Sequence, residues 1–208
     1  MNQPEKDLHE TFDTPALDPR LKWFCPPARW AVRGGRLVLE PDAKTDFWQR
    51  THYGFCSDNG HILFLDAAED FSLSTRVHFF PAHQYDQAGL VVRVSPECWI
   101  KTSVEFEPDG PANLGAVVTN HGYSDWSTQP FPGDRRSLEF RILRQGSDYQ
   151  VHFREAEGQP WIQLRIAHLD HQPEAAVQCG LYACSPIEAG FRAEFEALSV
   201  EVPQGTRG

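Results

Sequence analysis

The sequence lacks long apolar segments and any excess of basic residues. Its apolar runs, of which Ile62 to Leu65 is typical, are far shorter than the ~20 residues that a helix needs to cross a bilayer. Its 208 residues include 19 Lys and Arg against 29 Asp and Glu, which gives a formal net charge of −10. A surface of that charge does not collect the phosphates of nucleic acids. We therefore expect neither a membrane nor a nucleic acid as a partner.

The sequence also lacks the common motifs of metal, nucleotide and nucleophilic-serine sites. It has 9 histidines but no H-E-x-x-H, and it contains no Walker loop and no G-x-S-x-G. No C-x-x-C pair occurs among its 5 cysteines, which are Cys25, Cys56, Cys98, Cys179 and Cys184. We predict no metal and no cofactor, and we interpret the cysteines as reduced, small apolar side chains. The first residues, MNQPEKDLHE, lack the basic start and apolar run of a secretory signal, so we expect a cytoplasmic protein.

Helical periodicity is nearly absent, and short segments that alternate apolar with polar residues take its place. Turn residues separate these segments, which is typical of an all-β chain. The predicted strands are Arg36–Glu40, His61–Leu65, Phe71–Phe79, Gln87–Val94, Trp99–Glu107, Leu114–Thr119, Ser137–Leu143, Tyr149–Arg154, Trp161–Ala167, Ala176–Ala183 and Phe191–Val202. This number of strands predicts two antiparallel sheets packed face to face.

No repeat, linker or low-complexity tract divides the chain, so we predict a single domain over residues 8–202 with a disordered tail at 203–208. Two long loops are predicted at residues 41–60 and 120–136. Long ordered loops often carry binding residues, because they present side chains on a rigid scaffold.

Strand parity predicts one polar surface on the hairpin formed by Gln87–Val94 and Trp99–Glu107. Even-numbered residues of both strands are mostly apolar and are expected to face the core, which places the odd-numbered residues outside. An aromatic ring beside charged and amide groups is how proteins bind polyhydroxylated ligands. The outward residues proposed to bind a ligand are Gln87, Arg93, Trp99, Lys101, Ser103 and Glu105. The alternative is an ordinary solvated sheet face, with Trp99 covered by the segment Tyr123 to Ser127.

Glu105 and Glu107 lie two residues apart and point the same way on the predicted strand. Glycosidases need two carboxyl groups across the scissile bond, but Glu-x-Glu is common on solvated strands. An ion pair between Glu105 and Lys101 is the alternative interpretation. Asp86 and Asp125 are the other carboxylates considered as a catalytic partner of Glu105.

Several ordered motifs resemble one family of proteins. The segments are TDFWQRTHYGF at 45–55, DNGH at 58–61, YDQAGL at 85–90, WIK at 99–101, YSDWS at 123–127 and ACSP at 183–186. They resemble domain-of-unknown-function family 1349, the regulation-of-enolase-like proteins, and the resemblance extends over residues 8–202.

The resemblance implies a jelly-roll sandwich of the concanavalin A-like lectin/glucanase type, in which the concave sheet face is the usual ligand groove. It also implies that Trp48, Asp125 and Trp126 lie in loops flanking the Gln87 to Glu105 surface. The Glu-x-Asp-x-x-Glu strand signature of the glucanases with this fold is absent, which argues against hydrolysis.

Three functions are consistent with these observations. The first is a cytoplasmic lectin-like module that binds a carbohydrate or a sugar-derived metabolite, in which Trp48, Trp99 or Trp126 stacks on the sugar ring. The second is a glycoside-active enzyme that uses Glu105 and a second carboxylate. The third is a regulatory protein that docks a metabolic enzyme through the same face.

Overall fold

The computed structural model describes residues 7–203. All the regular secondary structure in this range is β-strand. No helix of the described residues is long and apolar enough to cross a membrane. In chain order the strands are β1 (Leu8–Glu10), β2 (Lys22–Phe24), β3 (Arg29–Val32), β4 (Leu37–Glu40), β5 (Phe47–Gln49), β6 (Cys56–Asp58), β7 (His61–Ala67), β8 (Phe71–Phe80), β9 (Gln87–Ser95), β10 (Cys98–Glu105), β11 (Ala112–Asn120), β12 (Tyr123–Phe131), β13 (Ser137–Gln145), β14 (Asp148–Arg154), β15 (Ile162–His168), β16 (Val177–Cys184), β17 (Arg192–Phe195) and β18 (Leu198–Glu201).

The strands form two large antiparallel sheets, which confirms the predicted two-sheet jelly-roll sandwich. The front sheet has 7 strands in the order β12-β11-β10-β9-β16-β7-β2. The back sheet has 9 strands, with the main order β15-β14-β13-β8-β17-β4-β3, and β18 joins β1 to β8. Strands β5 and β6 form a separate hairpin. This hairpin, residues 47–58, is called the cover hairpin below.

The core lies between the two sheets, and alternation along the strands decides which side chains enter it. Leu90 and Ile100, at even positions of β9 and β10, are fully buried in the central cluster. The two strands pair as the predicted hairpin, with Arg93 opposite Trp99 and Gln87 opposite Glu105. The odd-numbered residues of both strands therefore share the outer face of the front sheet.

Some boundaries differ from the predictions. The predicted loop at 120–136 is wrong, because residues 123–131 form edge strand β12, paired along its whole length with β11. Its polar sequence and Pro130 suit an edge, where one side of the strand needs no partner. The predicted loop at 41–60 contains the cover hairpin, and the strand predicted to reach Glu107 ends at Glu105.

Other differences concern the two ends of the chain. The segment predicted as one strand over 191–202 is divided into β17 and β18, and strands β1 to β3 are too short to give a periodic pattern. The single-domain range of 8–202 stays a prediction. Most of the predicted tail, residues 204–208, lies outside the described residues.

A buried arginine ties three chain segments together at one end of the sandwich. Arg144, near the end of β13, is 1% exposed, and all of its N–H donors are used by main-chain carbonyls. Its Nε donates to Gly146 O at 2.8 Å, its Nη1 to Ala67 O at 3.0 Å and Glu69 O at 3.4 Å, and its Nη2 to Pro173 O and Ala175 O, both at 2.8 Å. The guanidinium thus supplies hydrogen-bond donors to main-chain carbonyls at a place where several turns meet.

Candidate functional site

The cover hairpin lies on the outer face of the front sheet. Phe47 of this hairpin packs on Trp99 with ring centroids 6.0 Å apart and on Tyr182 at 6.2 Å. Gly60 makes this packing possible, since a Cβ at that position would lie 2.3 Å from Cε2 of Phe47. A second apolar cluster, separate from the sandwich core, therefore covers part of this face.

Three predicted ligand residues on this face are buried and do not line the pocket described below. Trp99 is fully buried and is covered by Phe47, and Trp126 of the segment 123–127 packs against the same apolar cluster. Arg93 pairs with Asp58 of the hairpin at 2.7 Å, and its guanidinium stacks on Phe24 at 4.4 Å. Ser103 is buried as well. These side chains lie on the face that strand alternation predicts, but alternation within a strand does not depend on what covers that face.

The uncovered part of the same face forms a pocket of about 360 Å³. Its floor comes from strands β9, β10 and β11, and its walls come from the cover hairpin, the turn before β9 and edge strand β12. The lining residues are Asp46, Trp48, Tyr53, Phe55, Tyr85, Gln87, Lys101, Glu105, Glu107, Asn113, Val117 and Trp126. Five of the predicted ligand residues are among them: Trp48, Gln87, Lys101, Glu105 and Trp126.

A hydrogen-bonded network fixes the polar floor of the pocket. The Lys101 ammonium donates to Oε1 of Gln87 at 2.8 Å and lies 3.4 Å from Oδ1 of Asp46. The Tyr182 hydroxyl donates to the same Gln87 oxygen at 3.1 Å. Two donors on Oε1 orient the amide, so Nε2 of Gln87 donates to Oε2 of Glu105 at 3.0 Å. The contact predicted between Lys101 and Glu105 is thus made through Gln87.

Glu105 has an unusual environment for a carboxyl group. Its pKa is raised to about 7, chiefly because the group is buried; the nearby Lys101 opposes this shift, and the acids Asp46 and Glu107 add to it. A carboxyl group of this kind is partly protonated at neutral pH, so it both donates and accepts hydrogen bonds. Strongly shifted carboxyl groups in pockets are candidates for ligand contacts or proton transfer.

Exposed aromatic rings surround the polar floor. Tyr53 is 55% exposed and packs on Trp48 with centroids 5.2 Å apart, and Phe55 is 44% exposed beside it. Tyr85 is 38% exposed and has a φ of 71°, a backbone conformation that residues other than glycine rarely adopt. Strained residues with exposed rings are more common at binding sites than on ordinary surfaces.

Trp126 lies at the opposite wall because the neighbouring strand carries a glycine. A Cβ on Gly115 would lie 2.9 Å from Nε1 of Trp126 and 2.4 Å from the Ser127 carbonyl oxygen. The absence of a side chain lets the indole lie close to the sheet surface. Trp126 thereby forms an aromatic wall at the edge strand, where the sequence predicted a loop.

The two other carboxylates considered as catalytic lie outside the pocket. Asp86 is 2% exposed and accepts the backbone N–H groups of Ala82 and His83, both at 2.8 Å, so it stabilises a turn. Asp125 is exposed and pairs with Arg165 at 3.0 Å. Neither side chain lines the pocket that contains Glu105.

Tyr53, Phe55, Tyr85 and Asn113 also line the pocket, although none of them was predicted from the sequence as a site residue. Signals for three of them were present, because Tyr53, Phe55 and Tyr85 belong to the motifs that carry the family resemblance. No sequence motif indicated Asn113, because its place in the pocket depends on the pairing of β11 with β10, in which Asn113 lies opposite Glu105. Within residues 7–203, no group of three His, Cys, Asp or Glu side chains is placed to hold a metal ion.

The fold and the pocket define a class: a two-sheet jelly-roll protein with a small-molecule-sized pocket on the outer face of one sheet. The chain belongs to the family described as "Protein of unknown function (DUF1349)", whose family model matches residues 23–203. It is 33% identical to "Regulation of enolase protein 1" of Saccharomyces cerevisiae over 183 residues, which are 88% of this chain and 90% of the yeast protein.

Solved structures agree with this assignment. A functionally unknown protein from Saccharomyces cerevisiae superposes with a TM-score of 0.81 at 32% identity, over 89% of this chain and 98% of that chain. A xylan beta-1,4-xylosidase from Bacillus halodurans has a TM-score of 0.74 at 13% identity, over 97% of this chain but 40% of the xylosidase. This second likeness concerns the fold alone.

Proposed function

We propose that the pocket binds a carbohydrate or a sugar-derived metabolite, and that the protein is a lectin-like binding module of the cytoplasm. The observation that carries this proposal is the combination of exposed aromatic walls with a polar floor in one pocket of about 360 Å³. That volume lies in the range of roughly 300–1,000 Å³ that is usual for small-molecule sites. Aromatic rings pack on the apolar faces of sugar rings, and carboxylate and amide groups bind the hydroxyls.

Glycoside hydrolysis is less well supported than binding. A hydrolase needs two carboxyl groups placed across one bond, and the partners considered for Glu105 are engaged elsewhere, Asp86 in a turn and Asp125 with Arg165. Glu107 does share the pocket, but it accepts hydrogen bonds from Gln84 at 2.7 Å and Asn113 at 3.5 Å. Both carboxylates near the floor are thus held by amide side chains, an arrangement suited to ligand recognition.

We expect Trp126→Ala to weaken carbohydrate binding by about tenfold or more, because one stacked ring contributes roughly 1–2 kcal/mol. The measurement is isothermal titration calorimetry with neutral mono- and disaccharides, including glucose, xylose, mannose, xylobiose and cellobiose. Quenching of tryptophan fluorescence in the parent protein provides an independent sign of saturable binding.

The matched control is Trp30→Ala. Trp30 is also a partly exposed tryptophan, 39% accessible, but it packs on Trp23 and does not line the pocket. We expect this variant to keep the parent affinity, and circular dichroism verifies that both variants are folded. Equal affinities of the parent and Trp126→Ala, or no saturable binding of any sugar of the panel, would contradict the proposal.

A regulatory role is the second candidate function, supported by the likeness to a protein named "Regulation of enolase protein 1". The exposed rings of Tyr53 and Phe55 lie at the rim of the pocket and are available to a protein partner. We expect purified enolase to bind the parent and to lose that binding in a Tyr53→Ser, Phe55→Ser double variant. Unchanged binding by the double variant, or none by the parent, counts against docking at this rim.

A further inference from the structure

The charges that line the pocket are unbalanced. Asp46, Glu105 and Glu107 contribute carboxyl groups, and Lys101 is the one basic residue among the described residues of the lining. Lys101 is 3% exposed, and its ammonium group is already engaged by Gln87 and Asp46. A ligand therefore meets carboxyl groups without meeting an available cation.

Glu105 and Glu107 have neutral donors as their partners. Gln87 donates to Glu105, and Gln84 and Asn113 donate to Glu107. In the described part of the chain neither carboxylate forms an ion pair, whereas most other acids on the sheet faces do, as Glu194 does with Arg36. Each carboxylate has more acceptor positions than these amides fill, so acceptor capacity remains for a ligand.

The aromatic walls of the pocket also favour a positively charged ligand. The faces of Trp, Tyr and Phe rings carry negative partial charge and attract ammonium groups. Tyr53, Phe55, Tyr85 and Trp126 surround the carboxylates, and the first three are at least 38% exposed. Rings and carboxylates together form an environment suited to a positively charged group that also presents apolar surface.

We propose that the ligand of this pocket is an amine-bearing sugar, with its ammonium group between Glu105, Glu107 and the aromatic rim. This inference rests on the proposed carbohydrate function and names the class of ligand. The ring of the sugar lies on Trp126, and a hydroxyl contacts the amide of Asn113. Burial, more than the neighbouring acids, raises the pKa of Glu105 to about 7, so a bound cation stabilises the ionised form of a carboxyl group that the pocket desolvates.

The test compares sugars that differ in charge at one position. Glucosamine carries the amine, N-acetylglucosamine has the same nitrogen without the charge, glucose has a hydroxyl there, and glucuronate is an anion. At pH 7 we expect glucosamine to bind at least about tenfold more tightly than the two neutral sugars, since a partly desolvated charge pair contributes more than about 1.4 kcal/mol. Glucuronate is expected not to bind.

Glu107→Gln is the informative variant, because glutamine keeps the size of the side chain and an oxygen for Gln84 and Asn113. We expect it to reduce the preference for glucosamine over glucose to within about threefold, while glucose binding stays near the parent value. Glu40→Gln is the matched control, since it removes one negative charge from the back sheet, where Glu40 pairs with Arg29. The control is expected to keep the full preference.

The outcomes separate this inference from the proposed function. Equal binding of glucose and glucosamine by the parent overturns the amine while leaving carbohydrate binding intact, and so does an unchanged preference in Glu107→Gln. Choline, a cation without a sugar ring, is included as a further probe. If choline binds and glucosamine does not, the pocket recognises a cation but not a sugar, and the proposal of an amine-bearing sugar is wrong. If no sugar binds at all, the proposed function and this inference both fail.

Discussion

Replacement of Arg144 by methionine is expected to lower the free energy of unfolding by about 3–5 kcal/mol, the largest effect of any substitution considered. The reason is that five main-chain carbonyls lose a buried donor at once. Those carbonyls belong to three segments around residues 67–69, 146 and 173–175, so their loops lose the group that joins them. Urea unfolding followed by circular dichroism measures the change through the midpoint.

Two further variants make the result specific. Arg144→Lys keeps the charge but has fewer donors and no planar fork, so we expect it to recover part of the lost stability. Arg29→Met removes an exposed arginine whose ion pair with Glu40 is largely solvated, and we expect a change below about 1 kcal/mol. A loss of less than about 1 kcal/mol in Arg144→Met would show that water replaces the guanidinium at this site.

The second large effect is a pH dependence of stability that Glu105 imposes. Its pKa is raised from 4.5 to about 7 in the folded protein, so between these values the folded state holds a proton that the unfolded state releases. The stabilising contribution is therefore complete below about pH 4.5 and is lost as the pH rises through about 7. A shift of this size corresponds to roughly 3–3.5 kcal/mol.

Glu105→Gln removes the titration and keeps a polar partner for Gln87. We expect the stability difference between this variant and the parent to move in favour of the variant by roughly 2–3 kcal/mol from pH 4.5 to pH 8. Chemical unfolding at a series of pH values measures this difference, in which the titrations of other groups cancel. Glu97→Gln, which removes an exposed carboxylate paired with Arg50, is expected to keep the pH dependence of the parent.

Parallel stability curves for the parent and Glu105→Gln would overturn the raised pKa of the buried Glu105 carboxyl group. The same curves also bear on ligand recognition. A bound cation favours the ionised carboxylate, so glucosamine, whose amine is still mostly protonated at pH 7, is expected to stabilise the parent more strongly at pH 7 than at pH 5 relative to its effect on Glu105→Gln.

The strands of the sandwich interior could be predicted because they are long and strictly alternating. Phe71–Phe80 illustrates this, since its residues alternate between buried and half-buried positions as far as Phe79. Edge strand Tyr123–Phe131 could not be predicted, because only one side of it needs partners and its polar residues resemble a loop. The same limitation concealed the role of Trp126 as a wall supported by a strand.

The sequence by itself determined the all-β class, the family and the face on which the pocket lies, because strand parity and ordered motifs are local properties of the chain. Tertiary structure decided which residues of that face remain accessible. The cover hairpin buries Trp99 and engages Arg93, while leaving Lys101, Gln87 and Glu105 at the floor of a pocket. No local pattern encodes where a hairpin packs. The position of this hairpin depends on the fit of Phe47 against Gly60 and against Tyr182, and Tyr182 is distant from Phe47 in sequence.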